Sequence, residues 1–140
     1  MFTTERLRLR AFEEADEKDD LEMFNDPVVM SNFSSDYLVP VARFNGFEEN
    51  IIQKSVFYAT LELKDTCEFV GFCALGWQYS PKDRDVEYGI CTRRKFWNKG
   101  YGTEATKFVV DHAFRLLGMH RVSLNVFESN AGAIVVYKRA

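Results

Sequence analysis

Residues 97–105, Trp-Asn-Lys-Gly-Tyr-Gly-Thr-Glu-Ala, constrain this chain more than any other stretch. Gly100 and Gly102 stand one residue apart, where a basic loop leads into an amphipathic helix. Because glycine has no Cβ, a ligand can approach its backbone closely, and unpaired N–H groups at a helix start attract anions. The pattern predicts a loop that binds a pyrophosphate group.

The segments on either side of this loop have clear periodicities. Residues 85–90 alternate polar and apolar as a strand does, and a basic run follows them. After Gly102, apolar residues recur at spacings of three and four, which predicts a helix over 103–117 that ends near Gly118. The residues of this stripe are Ala105, Phe108, Val109, His112, Ala113 and Leu116.

Two other nucleotide-binding patterns fit this segment less well. A Walker A loop fails, because no Gly-Lys-Ser/Thr ends the turn. The dinucleotide fingerprint G-x-G-x-x-A is satisfied by Gly100, Gly102 and Ala105, and Glu128 lies at about the expected distance beyond. That fold, however, places its first glycine directly at the strand end and needs several βα units afterwards. A charged loop separates Ile90 from Gly100 here, so the fingerprint is disfavoured.

Several separate stretches carry a resemblance to a known family. In collinear order they are residues 4–10, 26–30, 69–72, 87–90, 96–105 and 130–137. The chain resembles the GNAT superfamily of acyl-CoA-dependent N-acetyltransferases, particularly its RimJ/RimL-like branch, in which a tryptophan at the position of Trp97 is usual. Ala133 and Tyr137 match the family's late Asn-x-x-Ala-x-x-x-Tyr helix, which starts at Asn130.

The resemblance implies an α/β fold, in which a mixed β-sheet is flanked by helices as in the acyl-CoA N-acyltransferases. It also implies that acetyl-CoA is the cosubstrate, with its pantetheine arm beside the family's fourth strand. The implied cofactor-binding residues are Tyr88, Gly89, Ile90, Cys91, Thr92, Trp97, Asn98, Lys99, Gly100, Tyr101, Gly102, Thr103 and Asn130.

The same resemblance supplies catalytic candidates for acetyl transfer to a primary amine by direct attack in a ternary complex. Glu87 is the candidate base, acting directly or through water, with Asp85 in reserve on the same strand face. Tyr137 is expected to stabilise the departing thiolate by a hydrogen bond. For these carboxylates the alternative is a solvated strand position, and for Tyr137 it is packing against the sheet. Neither His112 nor His120 is assigned a catalytic role.

Composition agrees with a single domain over 1–140. The 140 residues are 46% hydrophobic and include 13 phenylalanines, enough for a substantial core. No run of residues is apolar enough to span a membrane and no signal peptide is recognisable, so a cytoplasmic protein is expected. Cys67, Cys73 and Cys91 lack metal-ligand spacing, which predicts reduced thiols and no metal site.

The net charge of −3 hides an asymmetry. Residues 1–66 carry 7 basic and 14 acidic side chains, whereas residues 67–140 carry 11 and 7. A basic half around the glycine loop favours capture of the coenzyme's phosphates. The acidic run at 13–20 either favours cationic substrates or forms a solvated helix face or helix N-terminus. Nucleic acid is not expected as a partner, since there is no extended basic stripe.

The local sequence patterns predict five strands, two of them paired in a hairpin, and four helices. They are strand 6–11, helix 15–25, helix 40–53, a hairpin of 56–63 with 68–78, strand 85–90, helix 103–117, strand 121–127 and helix 130–139. Relatives in the family continue after the tyrosine helix with further strands, so the sheet is expected to be C-terminally shortened, with a bare edge that makes a homodimer plausible. A catalytically idle CoA-binding module and a CoA-free interaction domain remain as alternatives. The acceptor amine has no recognisable code.

Overall fold

The computed structural model describes residues 1–31, 52, 55–80, 82 and 84–123, with the backbone alone at 30, 31 and 77–80. Its strands are β1 (Phe2–Thr3), β2 (Leu7–Arg10), β3 (Phe57–Leu63), β4 (Phe69–Ser80), β5 (Asp85–Thr92) and β6 (Arg121–Ser123). Its helices are α1 (Asp16–Phe24), α2 (Pro27–Ser31) and α3 (Tyr101–Arg115), and Arg94–Phe96 form a 3₁₀ turn.

The six strands form one sheet in the order β1-β2-β3-β4-β5-β6. Neighbours from β1 to β5 are antiparallel, whereas β5 and β6 are parallel and are connected through α3. This is the mixed sheet flanked by helices that the sequence predicts. The short strand β1 shifts the count, so the family's fourth strand is β5 here.

The two faces of the sheet carry separate apolar clusters. On one face, Val86 and Tyr88 of β5 pack with Val109 and other residues of α3. On the opposite face, Phe72 and Cys91 pack with Met23 and Phe24 of α1. Since side chains alternate along a strand, Asp85, Glu87 and Gly89 lie on the same face as Cys91, toward α1.

Helix α1 corrects one interpretation of the acidic run. Glu13 and Glu14 are exposed, but Asp16 and Asp20 are buried against the sheet. The reason for Asp16 is Arg10, whose two terminal nitrogens each donate to one carboxylate oxygen of Asp16 at 2.8 Å. Thus the run is not simply a solvated face. Its start does place acidic residues in the first turn of a helix, as expected.

Local patterns predicted β2, α1, β3, β4, β5 and α3 within a few residues, whereas β1, α2 and the 3₁₀ turn were not predicted. Two differences occur at the ends of α3. The helix begins at Tyr101 rather than 103, so Gly102 lies inside its first turn. It ends at Arg115, and Leu116 is 72% exposed instead of completing the apolar stripe. Gly118 then adopts a left-handed φ of 66°, consistent with its expected place at the helix end.

Three predictions fall wholly or partly outside the described residues. They are the helix at 40–53, the second half of the strand at 121–127 and the helix at 130–139. Within the described part, all three cysteines are free thiols, and no group of three or more potential metal ligands occurs. No described helix has the length and apolar character required to cross a bilayer.

Candidate active site

The glycine loop connects β5 to α3. Asn98 has a φ of 61°, and Gly100, the residue that precedes the helix, has a φ of 85°. Both values lie in the left-handed region, which asparagine and glycine tolerate better than other residues. This backbone path turns the chain into the first turn of α3.

The first turn of α3 provides an anion-binding arrangement. The amide of Glu104 donates to the carbonyl of Gly100 at 3.0 Å. The preceding amides, those of Tyr101, Gly102 and Thr103, have no acceptor within the helix by its geometry. Among the described residues, no hydrogen bond from these three amides to another protein group is observed. Three unpaired donors at the positive end of a helix dipole fit a pyrophosphate.

Side chains of the loop divide into exposed and packed groups. Asn98 and Lys99 are exposed, so they are available to a ligand. Phe96 is buried in the core, edge-on to Tyr101 with ring centroids 5.8 Å apart. Trp97 is half-buried, and its indole nitrogen donates to the Thr92 carbonyl at 3.1 Å. Phe96 and Trp97 therefore pack into the two apolar clusters of the protein.

Strand β5 leads into this loop, and its two edges differ in how far a neighbouring strand covers them. The amide of Arg93 donates to Val70 on the β4 side, and the register pairs Cys91 with Phe72. Because antiparallel strands alternate the direction of their backbone groups, the amides of Gly89 and Cys91 also point to β4. The amides of Tyr88, Ile90 and Thr92 therefore point to the other edge, where β6 pairs as far as Glu87 in the described residues.

A bulge lies opposite Glu87. Leu75 pairs with Tyr88 and Tyr79 pairs with Val86, so residues 76–78 of β4 oppose the single residue Glu87. Bulges of this kind bend a strand and are frequent beside active sites. Glu87 is half-buried on the α1 face, with Asp85 one pleat repeat away. About 17 Å of strand separates Glu87 from Thr92, the end of β5 nearest the loop.

Tyr88 and Cys91 are the two buried side chains of the predicted set. The Tyr88 hydroxyl lies 2.9 Å from that of Thr106 in α3. Cys91 contacts Met23, and its burial raises the pKa of the thiol. Both side chains are therefore structural, and any contact of these two residues with a ligand would involve the backbone. Tyr137 and Asn130, the other predicted residues, lie outside the described residues.

The structure adds partners that the sequence did not identify. Glu104, in the first turn of α3, accepts hydrogen bonds from the Thr4 hydroxyl, the Arg6 amide and Arg6 Nε. Burial opposes ionisation, but these bonds hold the pKa of Glu104 below its ordinary value. An acidic residue in a first helical turn was a visible pattern, yet its partners lie about one hundred positions away in the sequence.

Comparison with known proteins agrees with this architecture. The sequence model of the acetyltransferase (GNAT) domain family matches residues 6–140, and the chain belongs to that family. It is therefore an acyl-CoA-dependent acetyltransferase. The uncharacterized protein YkkB of Bacillus subtilis (strain 168) is 28% identical over 139 residues, which are 97% of this chain and 81% of YkkB.

Two solved structures share the fold. A GNAT-family acetyltransferase from Bacillus anthracis superimposes with a TM-score of 0.85 at 22% identity, over 98% of this chain and 80% of that one. Spermidine N-acetyltransferase from Vibrio cholerae, in complex with CoA and spermine, superimposes with a TM-score of 0.82 at 20% identity. The match covers 94% of this chain and 78% of the Vibrio cholerae protein. At these identities the likeness establishes the fold alone.

Proposed function

We propose that this protein transfers an acetyl group from acetyl-CoA to a primary amine by direct attack in a ternary complex, as a member of the RimJ/RimL-like branch. The observation that carries the proposal is the set of three amides at the start of α3 that have no acceptor among the described residues, at the end of the loop that follows β5. An anion bound at the helix start would leave the rest of an extended ligand beside β5.

The loop residues have a direct role in this proposal. The backbone of residues 100–103 holds the pyrophosphate, and the exposed Lys99 adds positive charge at its rim. Trp97 and Asn98 shape the turn, the first by its bond to Thr92 and the second by its left-handed backbone. Asn130 is proposed as a further cofactor contact on the family resemblance.

Strand β5 activates the reaction through its backbone. When bound, acetyl-CoA supplies a thioester whose carbonyl carbon can accept a nucleophile. The Ile90 amide, which points away from β4, is the proposed donor to the carbonyl oxygen. One donor of this kind typically lowers the barrier by about 3 kcal/mol. Gly89, beside Ile90 on the strand, presents no side chain toward α1, which leaves room for the acceptor.

Glu87 and Tyr137 complete the proposed chemistry. The amine nitrogen forms a bond to the acetyl carbon as the carbon–sulfur bond breaks, and the nitrogen loses one proton. Glu87 accepts that proton directly or through water, with Asp85 in reserve. Tyr137 stabilises the sulfur that leaves as thiolate by donating a hydrogen bond. A phenol near pKa 10 is a weaker acid than a thiol near 8.5, so this bond is favoured over full proton transfer.

The first experiment is calorimetric titration of acetyl-CoA into the wild-type protein, Gly102→Trp and Lys107→Trp. Gly102 lies in the first turn of α3, where an indole obstructs a pyrophosphate, whereas Lys107 is an exposed residue later in the same helix. Micromolar binding that is lost only in Gly102→Trp supports the cofactor site. Absence of binding by folded wild-type protein overturns the proposal.

A second measurement identifies turnover. Release of free thiol from acetyl-CoA is followed with a panel of polyamines, amino acids and peptides with free N-termini. Polyamines are included because the Vibrio cholerae protein of similar fold is described with spermine bound. Cofactor binding without turnover on any acceptor would favour the idle CoA-binding module over an active enzyme.

A further inference from the structure

The Arg6 side chain contacts the glycine loop and the first turn of α3. Its Nε donates to Glu104 Oε1 at 2.9 Å, and its Nη1 donates to the Lys99 carbonyl at 2.9 Å. Its guanidinium carbon lies 4.2 Å from the centre of the Tyr101 ring. One side chain thus contacts the loop, the first helical residue and the first-turn carboxylate.

The bond to Lys99 determines how the next peptide unit is oriented. In a trans peptide, the C=O of Lys99 and the N–H of Gly100 point in opposite directions. Because Arg6 holds the carbonyl, the Gly100 amide points away from Arg6. A cationic donor on a carbonyl also polarises the peptide and strengthens its N–H as a donor.

Position 100 accommodates glycine better than any residue with a Cβ. A Cβ at this position would lie 3.1 Å from Arg6 Nη2, and the φ of 85° is one that other residues rarely adopt. Tyr101 is confined between the Phe96 ring on one side and the Arg6 guanidinium on the other. The loop is therefore held in shape before any ligand binds, which reduces the ordering cost of binding.

The charge of Glu104 makes a cationic partner necessary. A carboxylate in the first turn of α3 lies close to the amides that would receive the pyrophosphate, and like charges repel strongly where they are partly shielded from water. The Glu104 side chain is only 15% exposed. Arg6 supplies the compensating positive charge at one carboxylate oxygen, and the Arg6 amide and the Thr4 hydroxyl donate to the other.

We propose that Arg6 is a positioning residue for the pyrophosphate loop: it orients the Lys99–Gly100 peptide so that the Gly100 amide faces the anion, and it cancels the charge of Glu104 beside that anion. The inference rests on the proposed function, since it concerns the same coenzyme site. It assigns a role in ligand binding to a residue between β1 and β2, far from the glycine motif in sequence.

The test compares coenzyme affinity with affinity for a ligand that lacks phosphates. CoA and S-acetylpantetheine are titrated, by calorimetry and by NMR respectively, into wild-type protein, Arg6→Gln and Arg6→Lys. Arg8→Gln is the matched control, because Arg8 lies in the same segment and forms an ion pair with Glu62, away from the loop. Thermal midpoints of all variants report any loss of general stability.

We expect Arg6→Gln to lower the affinity for CoA roughly tenfold, as loss of one charged hydrogen bond would. S-Acetylpantetheine affinity should change less than about twofold, because that ligand makes no phosphate contact. Arg6→Lys should recover part of the CoA affinity, since it restores charge without the planar fork. Adding Glu104→Gln to Arg6→Gln should also regain affinity, because it removes the uncompensated carboxylate.

Three results would overturn the inference. The first is CoA affinity unchanged in Arg6→Gln while wild-type protein binds normally, which leaves the proposed function intact. The second is an equal loss for CoA and S-acetylpantetheine, which indicates general destabilisation. The third is absence of CoA binding by the wild type, which overturns the proposed function as well. If Arg6→Gln does not fold, the ratio of the two affinities in Arg6→Lys decides between the same outcomes.

Discussion

The hydroxyl of Tyr88 in β5 lies 2.9 Å from the hydroxyl of Thr106 in α3, and both groups are buried. This bond ties the strand proposed to hold the pantetheine arm to the helix proposed to hold the pyrophosphate. Tyr88→Phe should lower the free energy of unfolding by about 1 to 3 kcal/mol, because it leaves the Thr106 hydroxyl buried without its partner. Urea denaturation measures this change.

The matched double variant separates the bond from packing. Tyr88→Phe combined with Thr106→Val removes both polar groups, so its loss of stability should be smaller than the sum of the two single changes. Strict additivity of the two losses would contradict a direct bond between these hydroxyls.

Glu87→Gln should reduce kcat/KM for the best acceptor by at least about 100-fold, because a positioned general base typically contributes this much. The loss should become smaller as the pH approaches the pKa of the acceptor amine, since a larger fraction of the amine is then already deprotonated. Initial rates of thiol release across a pH series measure both effects. Asp85→Asn is the control, and a larger loss there than in Glu87→Gln would exchange their roles.

Asp20 should make the protein less stable as the pH rises. Burial, with Asp16 and Asp19 nearby, raises the pKa of its carboxyl to about 8, from an ordinary value of 3.8. The folded protein therefore retains a proton that the unfolded chain has lost, and this contribution to stability is full below about pH 4 and lost through pH 8. No hydrogen-bond partner for either carboxylate oxygen occurs among the described residues.

Asp20→Asn tests this prediction, because asparagine keeps the size of the side chain but does not titrate. Its unfolding free energy should decline less than that of wild type between pH 5 and pH 9, by at least about 2 kcal/mol. Asp65→Asn is a suitable control, since Asp65 is exposed in the turn between β3 and β4. Parallel curves for wild type and Asp20→Asn would show that Asp20 is not buried in the protonated form.

Gly71→Ala should strongly destabilise the sheet. An added Cβ would overlap the Cys91 carbonyl oxygen and lie 2.7 Å from the Thr92 Cα, and both atoms belong to the backbone of β5. Overpacking against backbone costs about 1 to 3 kcal/mol or more. Since β5 would shift, CoA affinity should fall as well, and thermal unfolding with calorimetry measures the two effects together.

Gly118→Ala provides a graded comparison for Gly71→Ala. Its added Cβ would meet the end of the Arg84 side chain, which can move, and the main cost is the left-handed φ of 66°. We expect a loss of about 1 kcal/mol and unchanged CoA affinity, because the substitution lies at the far end of α3. Comparable losses in the two variants would argue against a close approach at Gly71.

Local patterns were sufficient for most of the described fold. The turn at residues 64–66 between two apolar runs predicted the β3–β4 hairpin, and alternation predicted β5. The glycine turn followed by a stripe of period 3.6 predicted α3. The backbone hydrogen bonds within α3 and within the β3–β4 hairpin join residues close in sequence, so the local pattern records them.

The acidic run shows where such patterns are insufficient. Asp16, Asp20, Met23 and Phe24 follow a helical spacing, and all four are buried on one face of α1. From the sequence, the Asp16 carboxylate looks solvated until its ion-pair partner is known. Arg10 forms ion pairs with Asp16 and Glu62, and it belongs to strand β2 rather than to α1. Its contact with Asp16 therefore depends on the tertiary fold.

The candidate site divides in the same way. The glycine loop and Glu87 were identified from motif and family resemblance, and their roles stay predictions. The hydrogen bonds from Thr4 and Arg6 to Glu104 could not be predicted, because no periodicity relates positions 4 and 6 to position 104. The direction in which each β5 amide points could be assigned only from the register of β5 against β4, which a sequence alone does not provide.

The strand order has a consequence for biosynthesis. In the described part of the chain, each strand from β2 to β5 pairs with the strand made immediately before it, and β6 joins only after α3 has been made. As the chain leaves the ribosome, the sheet can therefore grow from one side by successive addition. Of the described strands, β6 is the last to be made, so a nascent chain would present the edge of β5 opposite β4 to solvent, and to any coenzyme there, until β6 pairs with it.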